Sequence, residues 1–176
     1  MNEKTISSQR AFDGRLLKLD VLEVELDNGR RARREVVSHP GAVAVWSRLA
    51  DGRFVFVRQF RKAIEGELLE IVAGTLEPGE TPPACAAREV REETGCDVKT
   101  LIPLGLIHTA PGFCGERLEL FFAELVETGR PAQPDADEAL DVMRLTRKEW
   151  ETMVAVGEVH DAKTLAAWAM VQARQL

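Results

Sequence analysis

Residues 74–96 concentrate the side chains of this chain that could bind metal and act on phosphate compounds. Glu89, Glu92 and Glu93 stand close together, and Arg88 precedes Glu92 by four positions. On a helix these spacings place the three carboxylates on one face and bring Arg88 within reach of Glu92. Acidic runs usually form solvated faces, but here too few cations are nearby to balance the charge. Because Mg2+ favours carboxylate oxygens together with substrate phosphates, the pattern predicts a metal site.

Local signals predict the helix that would carry this face, over residues 82–94. Thr81 is a suitable N-cap, and Pro82 is tolerated in a first turn because its missing N–H would be unbonded there anyway. Gly95 can end the helix in the left-handed conformation. Small residues on the other faces allow the helix to pack closely against a sheet: Ala84, Ala86, Ala87 and Val90.

Length and composition limit the possible classes of protein. With 176 residues, 45% of them hydrophobic, the chain can bury one sizeable core and a small accessory unit. We expect no membrane span, because no apolar stretch approaches about 18 residues, and no secretory signal, because the first residues contain no apolar h-region. The net charge of −6 argues against nucleic-acid or membrane-surface binding. We interpret the three cysteines as reduced thiols in a cytoplasmic protein: Cys85, Cys96 and Cys114.

The N-terminal part, residues 4–38, predicts a small antiparallel β unit. Residues 15–26 alternate in the manner of a strand, Asp27-Asn28-Gly29 is a hairpin turn, and residues 31–37 run back from it. An isolated hairpin is barely stable in water, so its apolar surface requires a partner sheet. We therefore expect two domains, a β unit for dimerisation at residues 1–38 and a main domain at residues 39–176.

The main domain alternates strands with a few helices. Thr146 and Glu149 form a capping-box pattern for a helix to about residue 156, and Asp161 is the expected N-cap of a last helix. This mixture predicts an α/β (α+β) fold. The expected strands lie near residues 42–48, 53–58, 68–72, 101–108, 117–125 and 140–145.

The frame around the carboxylate helix resembles the Nudix box, G-x5-E-x7-R-E-U-x-E-E-x-G-U, in which U is a bulky apolar residue. Cys96 is small for the last U, although cysteine packs as a modest hydrophobe. The resemblance implies a Nudix-like α/β/α sandwich with a mixed sheet, plus the small N-terminal antiparallel β unit. All fixed positions of the box are matched, by Gly74, Glu80, Arg88, Glu89, Glu92, Glu93 and Gly95.

Further segments are similar to the ADP-ribose pyrophosphatase branch of the Nudix hydrolases. They read VRQFRKAIEGELLEIVAGTLEPGE, TAPGFCGERLELFFA and GEVHDAKTLAA, and Pro111 stands at the spacing after the box that marks this branch. The resemblance implies hydrolysis of the diphosphate of ADP-ribose to AMP and ribose 5-phosphate. It also implies a homodimer and two or three Mg2+ ions per site, with Mn2+ as a substitute.

The same resemblance implies roles for the box residues. Glu89 and Glu93 match metal ligands, Glu92 matches a carboxylate that shares or bridges ions, and Arg88 would orient Glu92. The backbone carbonyl of Ala73 matches a further ligand. One more box residue, Glu80, would support the metal site by a hydrogen bond or through a water.

Other matches concern the substrate. Arg34 and Arg61 match arginines that hold it, and Glu116 matches an acidic residue that faces it. The N-terminal unit of the partner subunit is expected to help form the adenine site, with Arg15 as the candidate residue. For Phe113 we expect plain core packing.

A late acidic loop departs from the relatives. Glu138 matches a metal ligand, but Ala136 stands where some relatives place the glutamate proposed as catalytic base. Either Asp137 or Glu138 takes that role, or a box glutamate does, and the sequence leaves the choice open.

The sequence is compatible with two other functions. One is the same chemistry on another nucleoside diphosphate sugar, such as GDP-mannose. The other is a Nudix-like module that senses ADP-ribose without hydrolysing it. Such sensors usually have a broken box and an attached DNA-binding domain, whereas this box is intact and no basic helix-turn-helix segment is present.

Overall fold

The computed structural model describes residues 2–133 and 139–176, and within these ranges the chain forms ten strands and three α-helices. The described chain divides into two compact units. The first contains the residues up to Gly41 together with His108–Arg117, and the second contains Ala42–Ile107 and Leu118–Leu176.

The first unit is built on a three-stranded antiparallel sheet with strands β1 (Glu3–Asp13), β2 (Lys18–Leu26) and β3 (Arg31–Ser38) in that order. β2 and β3 form the hairpin expected around residues 27–29. β1 was not predicted, and it is exposed along its whole length. β2 begins at Lys18 and not at residue 15, because the preceding residues form a turn in which the Gly14 amide donates to the Leu17 carbonyl at 3.0 Å.

The segment His108–Arg117 joins the first unit through backbone hydrogen bonds to β3. The Val37 amide donates to the Phe113 carbonyl at 2.7 Å, and the Gly115 amide donates to the Val37 carbonyl at 2.9 Å. The Phe113 side chain is 59% exposed, so the expectation of core packing was wrong. This residue holds the loop to β3 through its backbone, which leaves the ring at the surface.

The second unit contains a seven-stranded mixed sheet. The central order is β10-β5-β4-β9-β8, with β6 paired to β5 and β7 paired to β4, and β4 runs parallel to β9. The strands are β4 (Ala42–Arg48), β5 (Phe54–Arg61), β6 (Gly66–Glu70), β7 (Val72–Thr75), β8 (Cys96–His108), β9 (Arg117–Glu127) and β10 (Leu140–Leu145). The helices are α1 (Pro82–Thr94), α2 (Arg147–Ala155) and α3 (Ala162–Arg174), with a 3-10 turn at Lys62–Ile64.

Helices cover both faces of this sheet. In β4, apolar side chains point alternately to the two faces, and both faces are therefore packed against helices. Val43 and Val45 pack in the cluster that contains the buried face of α1. On the opposite face, Trp46 packs against Trp150 of α2 and Trp168 of α3, with ring centroids 5.1 and 5.0 Å apart. Since successive side chains of a strand point to opposite faces, both series are buried. This is the predicted α/β/α sandwich.

Capping residues fix the beginnings of α2 and α3. Thr146 accepts a hydrogen bond from the Glu149 amide, and the Thr146 amide donates one to the Glu149 carboxylate, which completes the predicted capping box. Asp161 caps α3 by accepting from the Thr164 amide at 3.0 Å. In the part of the chain that is described, no helix combines the length and the apolar character that crossing a membrane requires.

Candidate active site

The ends of α1 follow the local signals of the sequence. Thr81 occupies the N-cap position with an extended backbone, and Pro82 is the first helical residue, but the Thr81 hydroxyl makes no capping hydrogen bond. Gly95 ends the helix with φ at 70°. A Cβ atom there would lie 2.3 Å from the Arg130 carbonyl oxygen. Gly95 is therefore required both for its conformation and for space.

Gly74 leaves room for one of the helix carboxylates. It lies in β7 beside α1, and a Cβ atom at this position would lie 1.8 Å from Oε1 of Glu89. No left-handed backbone is involved at Gly74, so the requirement here is for space alone. The glycine that opens the box thus allows the Glu89 carboxylate to lie directly against the strand.

Arg88 lies at the centre of the carboxylate cluster. Its Nε and Nη2 donate to the two oxygens of Glu80 at 2.9 Å each, and its Nη1 donates to Glu89 at 2.7 Å and to Glu92 at 3.0 Å. Nη2 also lies 3.3 Å from the Thr75 carbonyl oxygen of β7. One guanidinium therefore holds three carboxylates and ties them to the neighbouring strand.

These contacts change the proton affinities in the cluster. Hydrogen bonds from Arg88 lower the pKa of Glu80 to about 2. The same hydrogen bonds to Glu80, with smaller effects from the other two carboxylates, raise the pKa of Arg88. Burial is the main cause that raises the pKa of the neighbouring Cys85 thiol to about 12. Arg88 is thus cationic and Glu80 anionic over the whole physiological pH range, whereas Cys85 remains a thiol.

The Glu80–Arg88 contact predicts a loss of stability in acid. The pKa of Glu80 falls from 4.5 to about 2 on folding, so its contribution is complete above pH 4.5 and is lost as the pH decreases from 4.5 to 2. As the pH falls through this window, the free energy of unfolding should decrease less in Glu80→Gln than in the unmodified protein. Urea unfolding of both proteins from pH 7 to pH 3 in EDTA measures the difference, and an identical pH dependence would contradict the assignment.

The remaining box glutamate, Glu93, is buried, with a residue exposure of 2%. The Glu89 side chain is also largely buried, whereas the Glu92 side chain is 39% exposed. The charge of Glu93 contributes to a raised pKa of Arg61, after the larger effect of hydrogen bonding to Glu70. Arg61 and the box carboxylates therefore share one electrostatic environment in the second unit.

The donor atoms of this cluster fit a hard divalent cation, although they are not yet gathered around one point. Among the described residues, no three carboxylate, imidazole or thiol side chains are arranged so that they could hold a metal ion. The carboxylates of Glu80, Glu89 and Glu92 are instead bound by Arg88. Carboxylate and carbonyl oxygens are nevertheless the ligands that such ions prefer. The Ala73 carbonyl belongs to β7, the strand beside Glu89.

Arg61 ends β5 in a contact that the sequence did not predict. Its Nε and Nη2 donate to the two carboxylate oxygens of Glu70 at 2.7 and 2.8 Å, and Lys163 of α3 binds the same carboxylate. The Glu70 side chain is 1% exposed. A single glutamate between the apolar residues Leu69 and Ile71 was the available signal, since a buried carboxylate needs a cationic partner.

Arg34 lies in the first unit, on β3. Its guanidinium forms an ion pair with Glu3 of β1, in which Nε donates to Oε2 at 3.0 Å. Both residues line a concave surface of about 440 Å3 that is completed by the loop Pro111–Gly115. The first unit therefore brings one predicted substrate arginine together with the loop that Pro111 begins.

The other predicted substrate residues also belong to the first unit. The Glu116 carboxylate accepts a hydrogen bond from Thr109 at 2.6 Å, and its other oxygen lies 3.7 Å from Nδ1 of His39. Arg15 is exposed in the turn between β1 and β2. Glu138, with Asp137 and Ala136, lies outside the described residues.

Comparisons with known proteins identify sequences that are similar to this chain. The family described as NUDIX domain matches residues 38–169. An ADP-ribose pyrophosphatase of Bacillus subtilis (strain 168) is 41% identical over 99% of this chain and 95% of its own length. A methanol dehydrogenase activator of Bacillus methanolicus is 40% identical over 98% and 94%. A GDP-mannose pyrophosphatase of Citrobacter koseri (strain ATCC BAA-895 / CDC 4225-83 / SGSC4696) is 32% identical over 77% and 75%.

A solved structure shows a similar fold. It is described as an ADP compounds hydrolase and superimposes with a TM-score of 0.84, covering 98% of this chain and 93% of its own. Sequence identity is 20%, so this match supports the fold.

Proposed function

Because this chain belongs to the NUDIX family, we propose that it hydrolyses the diphosphate of nucleoside diphosphate sugars, with ADP-ribose as the preferred substrate and AMP and ribose 5-phosphate as products. The observation that carries the proposal is the packing of the box: Gly74 leaves space for Glu89, and Arg88 holds the carboxylates of α1 together. Relatives named ADP-ribose pyrophosphatase support the choice of substrate.

The cofactor in this proposal is Mg2+, with Mn2+ as a substitute and two or three ions per site. Glu89, Glu92 and Glu93 would hold the ions with the Ala73 carbonyl, and the bound cations would neutralise the diphosphate and activate water. In the proposal Glu80 stays with Arg88, whose pKa is raised by that contact. Glu80 would thus keep Arg88 in place beside the metal ligands Glu89 and Glu92.

Four residues are proposed to bind the substrate. Arg61 would contact the diphosphate. Its Nε and Nη2 are bound to Glu70, which orients the guanidinium, and 42% of its side-chain surface is exposed and can meet a ligand. Arg34 and Glu116 would contact the remainder of the substrate, with Arg15 supplied by the partner subunit of a homodimer. We also propose that the protein acts in the cytoplasm, where its three free thiols would remain reduced.

For the catalytic base we propose Glu138. Ala136 cannot accept a proton, so we expect Glu138→Gln to lower kcat more than Asp137→Asn does. Steady-state kinetics of the two variants across a pH series provide the comparison. Rates near those of the unmodified protein in both variants would contradict the proposal and place the base on α1.

ADP-ribose should exceed ADP-glucose and GDP-mannose in kcat/KM, and nucleoside triphosphates should be nearly inert. The expectation depends on the concave surface that Arg34 and the loop Pro111–Gly115 share. Competition between equal concentrations of these compounds with Mg2+ tests it directly. A clear preference for a triphosphate would refute the proposed substrate class.

The similarity to a GDP-mannose pyrophosphatase makes GDP-mannose the second candidate substrate, and a preference for it in the same competition would select it. The relative named methanol dehydrogenase activator suggests a separate comparison, in which a methanol dehydrogenase is assayed with and without this chain. Hydrolysis by the purified chain alone is expected on our proposal, whatever the result of that second assay.

A further inference from the structure

The beginning of α3 is fixed to the point where the chain leaves β6 and enters β7. Ile71 lies between the two strands, and its amide donates to the Thr164 hydroxyl at 2.9 Å. β6 pairs with β5 whereas β7 pairs with β4, so the chain changes partner here. At this change of partner the buried Thr164 hydroxyl is the acceptor for the Ile71 amide. This contact fixes Lys163, the adjacent residue of α3, beside Glu70.

Four charged side chains meet at this position. Glu70 binds Arg61 through both carboxylate oxygens, at 2.7 and 2.8 Å, and it also binds Lys163. Lys163 in turn donates to Asp161 at 3.0 Å, and Asp161 caps α3. The two cations and two carboxylates balance, which makes the burial of Glu70 tolerable. Lys163 is the only member of the four that contacts both carboxylates through one atom.

Without Lys163, Arg61 would be the remaining cation among several carboxylates. Glu70, Glu93 and Asp161 all contribute to the raised pKa of Arg61, in that order. Lys163 binds Asp161 and one oxygen of Glu70. It therefore weakens the attraction of these carboxylates for the Arg61 guanidinium, which would otherwise draw the guanidinium away from a ligand. Arg61 can then keep its bidentate contact with Glu70 while its exposed edge remains available.

We infer that Lys163 and Glu70 are positioning residues, and that Lys163 holds Glu70 and Asp161 so that Glu70 can orient Arg61 toward the diphosphate. This gives a role to the segment GEVHDAKTLAA, which the box does not explain. The inference rests on the proposed function only in taking Arg61 as the residue that contacts the diphosphate.

The ionisation of Glu70 is consistent with lasting contacts to Arg61 and Lys163. Burial alone would raise the pKa of Glu70, but hydrogen bonding from Arg61 and the charge of Lys163 outweigh it, and the pKa is lowered. Glu70 therefore remains a carboxylate at neutral pH, and both of its cationic partners stay bound.

A double-mutant cycle on the full chain tests the inference, with Lys163→Met, Arg61→Ala and the double variant. Lys163→Arg is the conservative variant, and Lys99→Met at an exposed position of β8 is the matched control. Two quantities are measured for each protein with Mg2+, the kcat/KM for ADP-ribose and the Kd for ADP by calorimetry. Thermal unfolding confirms that every variant is folded.

We expect Lys163→Met to lower kcat/KM and to raise the Kd for ADP, each about 10-fold. When Arg61 is already alanine, the same change should alter each quantity less than about twofold. In Lys163→Arg both quantities should lie within about threefold of those of the unmodified protein, and Lys99→Met should leave both unchanged. A purely structural role would give losses that add in the double variant. Additive losses, or an unchanged Lys163→Met protein, would overturn the inference.

The two readouts separate this inference from the proposed function. A protein that binds ADP but hydrolyses no diphosphate compound contradicts the proposed function, while the cycle on ADP affinity still decides the role of Lys163. Failure to bind ADP and to hydrolyse any diphosphate would contradict both.

Discussion

Replacing Glu93 by glutamine is expected to lower kcat for ADP-ribose by about 100-fold or more, while the protein remains folded. Glu93 is buried on α1 beside the other box carboxylates, and glutamine has nearly the same volume. The change thus removes a charge without leaving a cavity. A 100-fold loss corresponds to about 3 kcal/mol of transition-state stabilisation, the magnitude expected for a ligand of a catalytic cation. Steady-state kinetics with Mg2+ supply the measurement.

The matched control is Glu151→Gln, at an exposed position on α2. Its kcat should equal that of the unmodified protein, and circular dichroism should show native structure in both variants. Chelation by EDTA should abolish activity in the unmodified protein, with recovery on adding Mg2+ or Mn2+. Full activity in EDTA, or an unchanged rate in Glu93→Gln, would exclude the metal assignment.

Deletion of residues 1–38 is expected to abolish both dimerisation and substrate binding. β1 is exposed along its length, and the apolar side chains of Ile6, Phe12, Leu16 and Leu17 are exposed in the first unit. An exposed edge strand with apolar residues favours pairing with another chain, and an isologous contact between two copies would cover it. Light scattering should give twice the chain mass of 19.5 kDa before the deletion and a single chain mass afterwards.

A milder change separates dimerisation from folding of the first unit, because the deletion also removes β3, the partner of the loop at Phe113. The double variant Ile6→Lys/Phe12→Lys keeps all three strands and places charges on the exposed apolar surface. We expect it to be monomeric at micromolar concentration with a raised KM. Val126→Lys, at another exposed apolar position in β9, is the control and should remain dimeric. A monomeric unmodified protein would contradict the proposal decisively.

The parts of the fold that local signals control were predictable from the sequence. Helix α1 begins at Pro82 and ends before Gly95, as expected. Proline fixes its own backbone angle, and glycine adopts the left-handed conformation that ends a helix. The capping box of Thr146 and Glu149 likewise depends on four adjacent residues. One expectation at α1 was wrong, since Thr81 occupies the N-cap position but its hydroxyl makes no capping hydrogen bond.

Contacts between distant residues were not predictable in this way. Glu70 and Lys163 are far apart in the sequence, and only the packing of α3 against the sheet brings them together. Arg88 was expected to contact Glu92, four positions away, whereas its bonds to Glu80 depend on how the chain turns before α1. β1 was missed because most of its residues are polar and it buries neither face.

Hydrolysis within the diphosphate is tested most directly by identifying the products that the purified protein forms from ADP-ribose with Mg2+. Chromatography and phosphorus NMR distinguish cleavage within the diphosphate from cleavage at any other bond. We predict AMP and ribose 5-phosphate in equal amounts, with none formed in EDTA. Formation of ADP and free ribose, or no turnover of ADP-ribose or of any other nucleoside diphosphate sugar, would contradict this prediction.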